Sequence, residues 1–169
     1  MEYKDKKVDC ELQLTPLTKK HYEQYKRIVA DCYYEMRKAL NIRPYDNHHM
    51  SLDDFIELEK TTFLLLKDDE IIGALTCSDD YIKTVVVNIK YQGRGFGRKI
   101  MKFAINHMQQ KEISPIKLIV AQWNKNAISL YKSLGFEIVK ETIGAGYNTK
   151  NDADDWEFEF VNLDSLNVR

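Results

Sequence analysis

Three of the chain's seven glycines stand at alternate positions in the stretch QGRGFG, and arginines accompany them. Gly93, Gly95 and Gly97 enclose Arg94 and are followed by Arg98. A run of valines precedes the stretch and a helical pattern follows it, so the glycines lie at a strand-to-helix turn. The first amides of a helix have no partner inside the helix, and the helix dipole adds partial positive charge there. Because glycines let an anion approach these amides, the stretch predicts a phosphate or pyrophosphate site.

Two better-known phosphate motifs fit this turn poorly. A P-loop ends in Gly-Lys-Ser/Thr, whereas this stretch ends in GRK. A dinucleotide-binding Rossmann turn needs its third glycine one residue later and an acidic residue at the end of the next strand, which here ends in AQW. A glycine-rich turn without a ligand is the remaining alternative, because short glycine patterns recur by chance.

Hydrophobic periodicity predicts the elements that hold this turn. VDCELQLTPL alternates apolar and polar residues, which indicates a first strand. A helical pattern begins after the candidate cap Thr18 and ends before Pro44. SLDDFIELEK predicts a second helix, with Ser51 and Asp54 as a capping pair. TTFLLLKDDEIIGALTCSDDYIKTVVVNIK predicts three strands joined by tight turns at KDDE and SDD.

The second half of the chain continues with alternating helices and strands. We predict a helix over 97–111, a strand in PIKLIVAQW, a helix in NAISLYKSLGF that stops at Gly135, and strands in FEIVKETI and DWEFEFVNL. Asn124 and Asn126 compete as the cap of the later helix. The order β-α-α-β-β-β-α-β-α-β-β predicts an α/β (α+β) fold: a mixed, largely antiparallel sheet flanked by helices, as one domain over 1–169.

Composition excludes several classes of partner. The 169 residues carry 25 basic and 26 acidic side chains, a formal net charge of -1, so no global field indicates nucleic acid or an anionic membrane. Cys10, Cys32 and Cys77 are odd in number and lack Cys-x-x-Cys spacing, which argues against a disulfide framework or a zinc knuckle. The first residues lack the apolar core of a signal peptide, and no apolar run could span a bilayer. We expect a cytoplasmic protein.

Two blocks of sequence now resemble one family. VVVNIKYQGRGFGRKIM is similar to the acetyl-CoA-binding motif of the GNAT superfamily of N-acetyltransferases, a strand followed by Gln/Arg-x-x-Gly-x-Gly/Ala. QWNKNAISLYKSLGF is similar to the downstream motif, which has Asn, then Ala three residues later, then Tyr, then Gly-Phe. The blocks keep the family's order and separation, and the resemblance covers nearly the whole chain. The matching residues are Gln92, Gly95, Gly97, Asn124, Ala127, Tyr131, Gly135 and Phe136.

The resemblance implies an enzyme that moves an acetyl group from acetyl-CoA to a primary amine by direct attack on the thioester, without a metal. Amides of the glycine loop would hold the pyrophosphate of coenzyme A. The preceding strand would splay from its neighbour and pair with the pantetheine arm, while an amide near Val87 polarises the thioester carbonyl. The implied cofactor-binding residues are Val87, Asn88, Ile89, Gln92, Gly93, Arg94, Gly95, Phe96, Gly97, Arg98, Asn124 and Tyr131.

Tyr131 is the one catalytic residue that the resemblance implies. It would protonate the departing thiolate, and Asn124 would hydrogen-bond the pantetheine arm. The chemistry needs such parts, because an amide donor stabilises the charge on the carbonyl oxygen and a hydroxyl near sulfur is a general acid. The helical spacing of Tyr131 with Ala127 and Leu134 equally predicts an ordinary core aromatic.

The acceptor and the general base are less determined. An alkyl amine titrates near lysine's pKa of about 10.4, so the attacking ammonium has to lose a proton. Many family members use a glutamate on the strand before the glycine motif, but YIKTVVVNI has no carboxylate. Asp79, Asp80, Glu35 and a water chain are the alternatives. We expect a small-molecule amine, no nucleic-acid or membrane partner, and leave a homodimer open.

Two polar segments have both a plain and a sharper interpretation. His48 and His49 are adjacent, which is not the spacing of a metal site, so we predict a polar loop between two helices. This loop often borders the acceptor site in the family, so the resemblance implies a substrate contact from Tyr45 or His48. The acidic run NDADD, residues 151–155, predicts a solvated hairpin loop or an attractor for a cationic amine. A non-catalytic acyl-CoA-binding or sensing module on the same fold is the alternative function, and it would not need Tyr131.

Overall fold

The strands and helices follow one another in the predicted order within the residues that the computed structural model describes, 14–39, 51–143 and 156–162. The predicted α+β fold is therefore confirmed. The strands are β1 Leu14–Pro16, β2 Thr62–Lys67, β3 Glu70–Ser78, β4 Tyr81–Val87, β5 Ile116–Ala121, β6 Phe136–Ile143 and β7 Trp156–Asn162. The α-helices are α1 Tyr22–Ala39, α2 Leu52–Glu59, α3 Phe96–Gln110 and α4 Lys125–Ser133.

The described strands form one sheet in the order β1-β2-β3-β4-β5-β7-β6. Its neighbouring pairs are antiparallel except for β4 and β5, which run parallel. A parallel pair needs a long crossover, and α3 supplies it between these two strands. The one parallel pair therefore lies in the middle of the sheet, where the glycine loop leaves β4.

Tight turns join β2 to β3 and β3 to β4, as the KDDE and SDD signals predict. Asp68, Asp69 and Asp79 have φ values of 50°, 64° and 54°, in the left-handed region. Aspartate enters this region more readily than most residues, since its short side chain hydrogen-bonds locally. The same three residues therefore explain why both hairpins close at these points.

Helices cover both faces of the sheet, and each face has its own buried cluster. On one face, α1 and α2 contribute Tyr25, Ile28 and Phe55, which pack on strand residues such as Val86. On the other face, the buried residues from the helices and strands include Ile100, Met101, Ala104, Met108, Ile116, Leu118, Ile128 and Phe136. Any opening between two strands in the middle of the sheet would therefore connect the face covered by α1 and α2 with the face covered by α3 and α4.

The starts of α4 and of the turn before α1 test two of the predicted helix caps. Asn124, not Asn126, is the N-cap of α4, and its Oδ1 accepts a hydrogen bond from the Ala127 amide at 3.3 Å. Thr18 precedes a short 3₁₀ turn that leads into α1, and its hydroxyl lies 3.0 Å from Nδ1 of His21 without capping a backbone amide. The predicted cap at Thr18 is therefore only positional. No helix in the described part of the chain is long and apolar enough to cross a membrane.

Several of the predictions fall outside the described residues. They concern Cys10, most of the first predicted strand, the loop with Tyr45, His48 and His49, and the acidic run 151–155.

Candidate active site

The central feature of the site is the point where β4 leaves β5. The two strands pair only at Tyr81 with Lys117 and Ile82 with Leu118. On the other side of β4, Thr84 pairs with Thr76 and Ile82 with Cys77, so Lys83 is an extra residue in a β-bulge. Bulges bend a strand and end its pairing, which explains why the gap opens at this residue.

The open part of β4 presents backbone hydrogen-bonding groups to the gap. The Asn88 amide donates to the Ile72 carbonyl of β3 at 2.7 Å. Because peptide groups alternate along an antiparallel strand, the N–H and C=O groups of Val85 and Val87 point the other way, toward β5. No β5 residue pairs with them, so this edge faces the cleft, where an extended ligand can add as a strand would. Within the protein, the Val87 carbonyl accepts from the Cys32 thiol and from the Gln92 side-chain amide.

A cleft of about 1210 Å³ fills the gap and passes through the sheet. This volume exceeds the roughly 300–1,000 Å³ of most small-molecule pockets. Its walls come from α1 on one face and from the glycine loop, α3 and α4 on the other, so two reactants can enter from opposite faces and meet at β4. The lining includes Asp31, Cys32, Glu35, Arg37, Val85, Val87, Gln92, Gly95, Trp123, Asn124 and Tyr131.

The glycine loop has the backbone that only glycine adopts easily. Gly93 and Gly95 have φ values of 76° and 83°. A Cβ at either position would meet no heavy atom within 4 Å, so the space in front of the loop is open. At Gly97, by contrast, a Cβ would lie 3.7 Å from Leu130, an ordinary packing distance. The first two glycines are therefore required by the turn, and the space in front of them, here called the cradle, is open.

The start of α3 faces this cradle without a side-chain cap. Gly95 is the N-cap and offers no side-chain hydrogen bond. The first helical bond runs from the Lys99 amide to the Gly95 carbonyl at 3.2 Å, so the amides of Phe96, Gly97 and Arg98 have no acceptor within the helix. These amides and the helix dipole together suit a phosphate group, and the residues fit the pyrophosphate of coenzyme A.

The two arginines of the loop are placed differently. The Arg94 guanidinium lies 5.5 Å from the centre of the Tyr91 ring, beside the loop. Arg98 donates from Nη2 to the Ser133 hydroxyl at 2.8 Å and so links α3 to the end of α4. Arg94 is the cation with the more open position, while Arg98 also has a structural role.

Tyr131 and Asn124 reach the cleft from α4. Tyr131 is half-buried, and its ring centre lies 6.1 Å from that of Phe136. Burial raises the pKa of the Tyr131 hydroxyl to about 12, which keeps it protonated at neutral pH. Both predicted roles of Asn124 are compatible, because its Oδ1 caps α4 while the residue lines the cleft.

The three carboxylates considered as a general base lie in different places. Glu35 lines the cleft from α1, where Asp31 stands one turn earlier. Asp79 lies in the turn before β4, at the closed end of the β4–β5 pair. Asp80 forms an ion pair with Lys117 at 2.9 Å at that same end. Among these three, geometry favours Glu35.

Sequence reasoning missed three residues of the site. Cys32 donates from Sγ to the Val87 carbonyl at 3.1 Å. Arg37 is only 2% exposed, and its guanidinium lies 5.5 Å from the centre of the Trp123 ring. The indole Nε1 of Trp123 is buried and has no hydrogen-bond partner among the described residues. The sequence did contain an indication for Arg37, because this charged residue lies one turn after Tyr33 on the face of α1 that the helical pattern predicts to be buried.

Comparison with known proteins agrees with this geometry. The model of the acetyltransferase (GNAT) family matches residues 22–136. Thialysine N-epsilon-acetyltransferase of Bos taurus is 38% identical over 64 residues, which cover 38% of this chain and 38% of that protein. N-alpha-acetyltransferase 30 of Xenopus laevis is 32% identical over 83 residues, covering 44% of this chain and 30% of that protein. The alignments thus span well under half the length of these curated relatives.

A solved structure extends the similarity of the fold. The ribosomal-protein-alanine N-acetyltransferase from Brucella melitensis superposes with a TM-score of 0.69 over 89% of this chain and 98% of that one. At 15% identity this similarity concerns the fold alone. The family match covers most of the chain and includes the splayed strand, the glycine loop and Tyr131. The chain therefore belongs to the acetyltransferase (GNAT) family.

Proposed function

We propose that this protein is an acetyl-CoA-dependent N-acetyltransferase whose acceptor is the primary amine of a small molecule. The observation that carries the proposal is the edge of β4 at residues 85–87, with which β5 does not pair. It leads directly to the uncapped start of α3 inside one cleft. A ligand that combines an extended amide-containing arm with a pyrophosphate matches both parts at once.

Several groups that line the cleft would divide the binding of the coenzyme between them. The amides at the start of α3 and in the glycine loop would hold the pyrophosphate, with Arg94 beside them. The edge of β4 at Val85 and Val87 would pair with the pantetheine arm, as a neighbouring strand would. Asn88 and Ile89, which were predicted to take part, lie beyond the end of β4: the Asn88 amide donates to Ile72 of β3, and Ile89 begins a short 3₁₀ turn. Bound acetyl-CoA supplies the activated acetyl group as a thioester. Asn124, on the opposite wall, lies within the same cleft.

Two groups of the chain serve the transfer itself. The β4 amides of Val85 and Val87 point into the gap, where they can stabilise the negative charge that develops on the thioester oxygen. Tyr131 stays protonated because its pKa is about 12. A thiol ionises near pH 8.5, so complete proton transfer from Tyr131 to the thiolate is uphill. Tyr131 thus stabilises the departing sulfur chiefly as a hydrogen-bond donor.

The α1 wall supports an amine acceptor. Asp31 and Glu35 line the cleft one turn apart on α1, and Tyr33 and Tyr34 line the same cleft. Carboxylates attract an ammonium group, and Glu35 can accept the proton that the amine releases. Of the two relatives named above, one is named for N-epsilon-acetylation of thialysine and the other for N-alpha-acetylation. The aromatic wall favours the small amine. Cytoplasmic localisation remains a prediction.

A binding measurement followed by an acceptor panel tests this proposal. Acetyl-CoA at a hundredfold excess over Kd adds about 2.7 kcal/mol of stability, which raises Tm, whereas NAD and ATP should not. Product mass spectrometry then follows acetyl transfer to thialysine, lysine and spermidine, and to peptides with free α-amino groups. Glu35→Gln should reduce kcat for amines more than it changes the Kd of acetyl-CoA. No stabilisation by acetyl-CoA would refute the coenzyme, and transfer to peptides alone would refute the small-molecule acceptor.

A further inference from the structure

The Val87 carbonyl occupies a special place at the end of β4. It points into the gap between β4 and β5, because the next amide, that of Asn88, bonds to Ile72 of β3 at 2.7 Å. In the proposed function this carbonyl is where an amide N–H of the pantetheine arm would bind. The hydrogen bonds that Val87 already makes therefore bear directly on coenzyme affinity.

Two side chains already donate to this carbonyl. Sγ of Cys32 lies 3.1 Å from the Val87 oxygen, and Nε2 of Gln92 lies 3.0 Å from the same atom. A backbone carbonyl oxygen has two lone pairs, so its capacity is full before a ligand arrives. A third donor from the coenzyme requires one of these two side chains to leave.

The two donors differ in how easily they can leave. Cys32 is 9% exposed and belongs to the buried cluster between α1 and the sheet, so its thiol has little access to water that could replace a lost hydrogen bond. Burial raises the pKa of the Cys32 thiol to about 11, so the thiol keeps its proton. Gln92 is exposed and immediately precedes Gly93. Its amide can return to water at small cost, because water replaces the lost hydrogen bond.

We propose that the Gln92 side chain competes with the pantetheine arm of acetyl-CoA for the Val87 carbonyl and has to be displaced when the coenzyme binds. Cys32 remains on the carbonyl and holds the end of β4 in position. The inference rests on the proposed function, since it assumes that the arm pairs with β4. The Gln92 backbone amide, predicted to face the pyrophosphate, donates to the Ile89 carbonyl at 3.3 Å, so the role assigned here belongs to the side chain alone.

Replacing Gln92 by methionine should therefore tighten coenzyme binding. Methionine has nearly the same length and no amide, so the variant loses the competing donor while keeping the shape. A net intramolecular hydrogen bond corresponds to about a two- to tenfold change in an equilibrium constant, so the Kd of acetyl-CoA should fall by that factor. Isothermal titration calorimetry of the full chain measures it.

Two controls make the measurement specific. Gln110→Met changes an exposed glutamine at the far end of α3 and should leave every Kd unchanged. Adenosine 3′,5′-bisphosphate lacks the pantetheine arm, so its Kd should be the same for the wild type and for Gln92→Met. Together these controls separate competition at Val87 from a general effect of methionine on the loop.

Each outcome of the titrations either supports or overturns the competition at the Val87 carbonyl. Tighter binding of acetyl-CoA alone by Gln92→Met supports the competition. Equal or weaker binding overturns it and makes Gln92 neutral or a coenzyme ligand, while the proposed function stands. Equal tightening of adenosine 3′,5′-bisphosphate also overturns it, because the effect would then arise in the loop. If neither the wild type nor the variant binds acetyl-CoA, the proposed function fails and the inference fails with it.

Discussion

The starts of α2 and α3 are built in opposite ways. At α2, the Ser51 hydroxyl accepts from the Asp54 amide and the Asp54 carboxylate accepts from the Ser51 amide, both at 3.1 Å. At α3, Gly95 provides no side chain, and the first amides face a cleft. Both helices are held by packing, so neither needs its cap to exist. A helix start without a side-chain cap therefore indicates a ligand site when its first amides face open space.

The largest effect is expected when the N-cap of α3, Gly95, is replaced by a residue with a carboxylate. Gly95→Asp places a negative charge beside the amides that would hold the pyrophosphate. At 4 Å and an effective dielectric constant near 20, such a repulsion is several kcal/mol, so the Kd of acetyl-CoA should rise about a hundredfold or more. Calorimetric titration with acetyl-CoA gives the value.

Gly95→Asn is the matched control for that change. Asparagine has the same shape, tolerates a positive φ and carries no charge. It should weaken acetyl-CoA binding much less than the aspartate does. If both variants bind acetyl-CoA like the wild type, the start of α3 does not hold the pyrophosphate.

A second test compares the two helices that border the coenzyme. The start of α4 is capped by Asn124, so α4 acts through a side chain, Tyr131, and not through its amides. Tyr131→Phe should lower kcat about a hundredfold, which is typical for the loss of one hydrogen-bond donor to developing charge, with an unchanged Kd for acetyl-CoA. Tyr22→Phe, which changes a tyrosine whose ring packs against Phe55, should leave kcat unchanged.

The pH dependence of kcat tests the same role of Tyr131. Tyr131 acts in its protonated form, and its pKa is raised to about 12. Its contribution is therefore present at lower pH and is lost only as the pH rises through that value. The kcat of the wild type should show no decline due to Tyr131 up to about pH 10.5. A descending limb near pH 10 that is absent in Tyr131→Phe would contradict the raised pKa.

The smallest effect is expected at α2, where the cap is purely structural. Ser51→Ala removes the hydroxyl and should lower Tm by about 2 to 4 °C without altering the Kd of acetyl-CoA. Thermal denaturation measures the first value and calorimetry the second. A changed Kd would show that α2 is coupled to the coenzyme site.

The cap of α2 also has a defined pH dependence. The Ser51 hydrogen bonds hold the pKa of Asp54 below its ordinary value of 3.8. The ionised carboxylate therefore contributes stability above that ordinary value, and the contribution is lost as the pH falls through the lowered pKa. The difference in Tm between wild type and Ser51→Ala should shrink at such acidic pH.

Local patterns predicted the elements well where neighbouring residues decide the structure. The capping pair Ser51–Asp54 and the strand FEIVKETI lie where they were predicted, and the helix expected over 97–111 runs over Phe96–Gln110. The side-chain cap predicted at Thr18 is wrong, since its hydroxyl contacts the ring of His21 and not a backbone amide. A cap depends on the rotamer of one side chain, which a competing partner in the fold can change.

The order of elements, the glycine turn and the motif residues could be predicted from the sequence, because periodicity, turn propensity and capping act over a few neighbouring residues. The separation of β4 from β5 at Lys83 and the position of Glu35 in the cleft became visible only in the folded structure. The folded structure alone brought Cys32 and Gln92 to one carbonyl, that of Val87. These contacts join elements far apart in the chain, and their geometry depends on how the helices pack against the two faces of the sheet.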